Sequence, residues 1–73
     1  MNTLELVLGQ LVQEKNILEY DLEKIVNSDN IDTLEKINRS KDILSKISNI
    51  ITMINLTSSY LQPKNNEVMN NNN

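Results

Sequence analysis

An all-α fold, an antiparallel two-helix hairpin that dimerises into a four-helix bundle, is what this sequence predicts, on three observations. Residues 34–61 carry a seam of positions at alternating spacings of three and four. Residues 4–25 carry apolar positions with the same alternation. Between them stands a short polar cluster, Asn27-Ser28-Asp29-Asn30, whose side chains bond their own backbone and favour turns.

The first helix is expected over about 3–26. Asn2 with Glu5 three positions later fits a reciprocal cap, in which the Asn side chain accepts from a free helix N–H and the Glu side chain reaches back. Leu4, Leu8, Leu11, Lys15, Leu18, Leu22 and Ile25 then form a seam at spacings 4,3,4,3,4,3. Gly9 interrupts this run at a cost of about 1 kcal/mol relative to alanine, too little to break a helix with so many apolar anchors. It also leaves room for a neighbour to approach closely.

The turn is placed at 27–31. Asp32 with Glu35 reads as a second reciprocal cap, so the second helix is expected over about 33–61. Its end follows from Pro63, which forces Gln62 out of helical geometry. Residues 62–73, polar and closing on four asparagines, have little apolar surface to bury and are expected to be a disordered tail. The domain is thus a hairpin over 1–61.

For the second helix the seam is read as Ile37, Ser40, Leu44, Ile47, Ile51, Ile54, Ser58 and Leu61. A link this short makes consecutive helices antiparallel neighbours. Laying one seam against the other puts Leu4 beside Leu61, Leu11 beside Ile54, Leu18 beside Ile47 and Ile25 beside Ser40, with both seams ending together. Apolar residues remain outside the seams: Val7, Val12 and Val26 on the first helix, Leu34, Ile43 and Ile50 on the second. They widen each stripe beyond what two helices cover, and are therefore assigned to an oligomer interface between two hairpins.

Composition sets the class of function. In 73 residues there is neither cysteine nor histidine, which excludes disulfides and removes the commonest general base, the strongest nucleophile and the usual zinc ligands. No cofactor, metal site or catalytic residue is expected, and a chain this short needs reinforcement from association. No apolar run is long enough to span a bilayer, and MNTLELVLGQ lacks the basic segment and cleavage site of a signal peptide, so an intracellular, membrane-free protein is expected. The many Asn, Ile and Lys codons with no alanine suggest an AT-rich coding sequence.

The formal charge of −3 is mild, but it is unevenly spread. Up to Val26 the acids Glu5, Glu14, Glu19, Asp21 and Glu23 outnumber Lys15 and Lys24. From Asp32 to Leu61 the bases Lys36, Arg39, Lys41 and Lys46 outnumber Asp32, Glu35 and Asp42. Antiparallel neighbours of opposite sign are the simplest reading of this asymmetry.

Four local features invite functional readings. The turn sequence NSDNID is rich in oxygen ligands but lacks the glycine and distal glutamate of a calcium loop, and its residues are those a turn plus a cap requires. Lys36, Arg39 and Lys46 could form a basic stripe for double-stranded or structured RNA. Glu35 and Asp42, at favourable i,i+4 spacing from Arg39 and Lys46, oppose that reading. Lys15, a charge in an apolar seam, suits either a register-setting role or a stem that carries its ammonium outward toward Glu14 or Glu19. Ile17, Tyr20, Met53, Leu56 and Tyr60, away from the main stripes, are the candidate contacts for an unidentified protein partner. The function expected is that of a non-enzymatic adaptor, assembly factor or small regulator, with RNA binding and membership of a hetero-helical complex as rivals.

Overall fold

The computed structural model describes residues 2–62; the greater part of the expected tail, residues 63–73, lies outside the described residues. Two helices pack against each other, α1 over Thr3–Val26 and α2 over Thr33–Leu61.

Side chains define the helix starts. At α1 the Asn2 carboxamide oxygen accepts from the Leu4 N–H at 2.7 Å, and the Asn2 N–H donates to Glu5 Oε1 at 3.1 Å. At α2 the Asp32 carboxylate accepts from the Glu35 N–H at 2.8 Å. The returning half of that second cap is absent, because the Glu35 carboxylate is paired instead with Arg39 one turn further along. Each cap satisfies a backbone donor that the first turn leaves free.

Between the helices the chain turns without any left-handed residue. The Asn27 N–H continues to the Glu23 carbonyl at 3.1 Å and the Ser28 N–H donates to the Ile25 carbonyl at 3.2 Å. The Asn30 N–H then donates to Ser28 Oγ at 3.2 Å. Gln62 closes α2 at φ −73°, ψ 146°, the extended geometry that a following proline imposes.

In α1 the buried and half-buried positions are Leu8, Leu11, Lys15, Leu18, Leu22 and Ile25, with Leu4 exposed at the open end. In α2 most fall in two columns seven residues apart, Ser40, Ile47, Ile54 and Leu61, and beside them Lys36, Ile43, Ile50 and Thr57; Ser58, of the expected seam, is also half-buried near the open end. Leu18 lines a groove together with Lys46 and Ile50, either side of the level of Ile47. The helices therefore meet in the antiparallel register in which paired residue numbers add to about 65.

This arrangement corrects the expected seam of α2. Ile37, Leu44 and Ile51 do not face α1; they are 49%, 51% and 41% exposed, whereas Ile43 and Ile50, assigned to the oligomer interface, are buried. The apolar stripe of α2 is three columns wide, with the Ser40 column in its middle. A single partner helix covers two columns. Rotating α2 by about half of a 100° residue step exchanges the Ile37 column for the Ile43 column without disturbing Ile47 or Ile54. Sequence spacing alone does not choose between these rotations.

Candidate interaction surface

The hairpin has two broad sides, and helix geometry assigns each exposed residue to one of them. In an antiparallel pair the positions just outside the seam lie side by side with their counterparts on the other helix. One side carries Val12, Glu19 and Val26 of α1 next to Ile51, Leu44 and Ile37 of α2. The other carries Val7, Glu14 and Asp21 next to Tyr60, Met53, Lys46 and Arg39. The groove lined by Glu14, Ile17, Leu18, Lys46, Asn49 and Ile50, with a volume of about 430 Å³, lies on this second side and fixes the assignment.

The first side is the more apolar. Val12, Val26, Ile37, Leu44 and Ile51 are all exposed, and the charges at its centre are internally compensated. Lys15 leaves the seam and places its ammonium 3.2 Å from Glu19 Oε2 and 3.3 Å from Asn16 Oδ1. Its stem thus contributes to the seam while its charge reaches solvent beside Glu19.

The second side is mixed. Arg39 is paired with Glu35, and Lys46 Nζ lies 3.3 Å from Asp42 Oδ2. Lys36, the third member of the expected basic stripe, is half-buried at the turn end of the Ile43 column, one helical turn before Arg39. The stripe thus has two exposed cations, each already matched by an acid.

The other candidates separate in the same way. Of the residues assigned to the oligomer interface, Val12 and Val26 share the first side, Val7 lies on the second, and Leu34, 68% exposed, stands at the outer edge of the first near the turn. Of the residues proposed for a protein partner, Met53, Leu56 and Tyr60 line one stripe of α2 on the second side toward its C-terminal end, with Ile17 across from it on α1. Tyr20 lies on the back of α1, where the Lys24 ammonium sits 5.4 Å from its ring centroid.

Among the described residues no group of three or more His, Cys, Asp or Glu is placed to hold a metal ion. None of the described helices is long and apolar enough to cross a membrane. No family model, no curated protein and no solved structure matches this chain.

Proposed function

We propose that the chain is a non-enzymatic helical interaction protein, an adaptor, assembly factor or small regulator, that works as a homodimeric four-helix bundle. The observation that carries this reading is the imbalance between what the hairpin buries and what it leaves out. Among the described residues four hydrophobic side chains are buried, Leu11, Ile43, Ile47 and Ile50, and fourteen large ones are exposed. A core of four side chains is small against the conformational entropy of ordering two long helices. Exposed apolar surface on this scale marks a site of association, and five of these side chains, Val12, Val26, Ile37, Leu44 and Ile51, share the first side.

RNA binding has less support. Phosphate recognition draws its affinity from uncompensated positive charge, and the ion pairs of Arg39 and Lys46 leave little of it.

Sedimentation equilibrium of the full chain tests the reading. A species of twice the 8.4 kDa chain mass, helical by circular dichroism, is the expected result. A helical monomer, or aggregation of the isolated chain, overturns the homodimer and assigns the exposed surface to a different protein.

A further inference from the structure

Resting on the homodimer reading, we infer that the Val12/Val26/Ile37/Leu44/Ile51 side is where a second copy docks, about a twofold axis parallel to the helices, so that α1 of each copy lies against α2 of the other. The two turns are then at the same end of the bundle.

Size is the first argument. A side two helix diameters wide, roughly 20 Å, and as long as α1, roughly 36 Å, presents on the order of 700 Å² in projection, close to the ~800 Å² per partner of a standard specific interface.

Charge decides the orientation. On this side α1 presents Glu19 at the centre and Glu23 at the outer edge, with Glu5 near the open end; its nearest base, Lys15, is already committed to Glu19. The corresponding positions of α2 hold one base, Lys41, and no acid. A twofold axis across the helices would bring α1 against α1 and gather those acids, which is unfavourable for like charges. An axis along the helices brings acid against base. Because the paired numbers within the hairpin add to about 65, Lys41 of the second copy then arrives level with Glu23.

The same placement matches the apolar positions at the centre of this side. Val12 meets Ile51, Val26 meets Ile37, and Leu44 lies beside the Lys15–Glu19 pair, whose charges neutralise one another. At the outer edge the small and polar residues coincide: Asn16 with Ser48, and Gly9 with Asn55. Gly9 has nothing within 4 Å of where a Cβ would stand, so contacts within the hairpin do not account for a glycine there. A closely approaching second chain does.

The absence of cysteine from the chain makes the test clean. Glu23→Cys and Lys41→Cys are made separately, mixed under native conditions and oxidised, with sedimentation of the unsubstituted chain run alongside. The expected result is a covalent dimer in the mixture and little in either variant alone. A covalent dimer from Asn16→Cys alone, near the middle of α1, shows α1 against α1 and overturns the orientation. A non-covalent dimer that gives no cross-link in the mixture overturns the proposal as well.

A second pair of variants reads the face. Leu44→Glu is expected to abolish the dimer while Ile17→Glu, on the other side, retains it, both judged at unchanged helicity. The reverse pattern overturns the assignment of the face yet leaves the homodimer standing. A monomeric unsubstituted chain overturns the reading on which the inference rests.

Discussion

Ile43 and Leu44 are neighbours in the sequence and stand on different surfaces: Ile43 is 9% exposed against α1, while Leu44 is 51% exposed on the apolar side of the hairpin. One residue step divides intramolecular packing from the surface that we propose a second chain covers. Truncating the two side chains should therefore separate the two kinds of stability. Ile43→Ala is expected to cost about 2–4 kcal/mol at every protein concentration in urea unfolding followed by circular dichroism. Leu44→Ala should lower the midpoint only where the oligomer is populated. Equal losses across a dilution series would contradict this division.

Legibility in the sequence follows the same line. Helix ends were readable because they depend on local chemistry: Asn2 with Glu5, Asp32, the Asn27–Asn30 cluster and the residue before Pro63 each act within a few positions. The seam of α1 was readable because the columns flanking it are interrupted by acids, Glu5 and Glu19 on one side and Glu14 and Asp21 on the other. In α2 the Ile37, Ser40 and Ile43 columns are all suited to burial, and the choice of two is a rotation about the helix axis. That rotation depends on packing between elements far apart in the chain. The half-burial of Lys36 follows from the same rotation, which places it in the seam while Arg39 and Lys46 stay exposed.

Lys15 gives a second prediction. Its ammonium is drawn out to Glu19 through an exposed i,i+4 pair worth about 0.2–0.5 kcal/mol, so little is lost by removing the charge. Lys15→Leu is expected to raise hairpin stability by about 1 kcal/mol through added apolar burial. It should also weaken control of assembly, as removal of a polar seam residue does in coiled coils. Sedimentation velocity should show a mixture of oligomers where the parent gives one species; a single unchanged species would leave Lys15 without a register role.

Helix starts supply a third. Asp32→Ala removes the carboxylate that accepts from the Glu35 N–H, at an expected cost of about 0.5–2 kcal/mol, and Asn2→Ala should behave similarly at α1. Asp32→Asn retains an accepting oxygen and should recover most of the loss. Thermal unfolding of the three variants measures this, and an Asp32→Asn variant as unstable as Asp32→Ala would argue against a capping role.

Gly9 supplies a fourth. It sits within α1 at negative φ with open space around its missing Cβ, so Gly9→Ala should stabilise the isolated hairpin by about 0.4–1 kcal/mol. Melting at the lowest usable concentration isolates that gain. A loss of stability there would mean that the glycine serves a contact within the hairpin.

The paired cations supply a fifth. Lys46→Ala breaks an exposed ion pair and is expected to change stability by less than about 0.5 kcal/mol. In a mobility-shift titration at physiological salt the parent chain should not retard double-stranded RNA. Retardation that disappears with added salt and with Arg39→Glu would restore the RNA reading.

The six-residue link and the side-chain caps on either side of it also bear on how quickly the protein reaches its working form. Each helix carries its own starting signal, and closing a loop of about ten residues takes on the order of 10–100 ns. Topologies built from such local contacts fold in microseconds to milliseconds. Zippering of one chain is therefore fast, and for the proposed homodimer the encounter between two chains sets the pace at low abundance. A newly synthesised chain then forms and loses its hairpin many times before that encounter, and each time it forms, Leu44 and its neighbours are bare to the first helix that meets them.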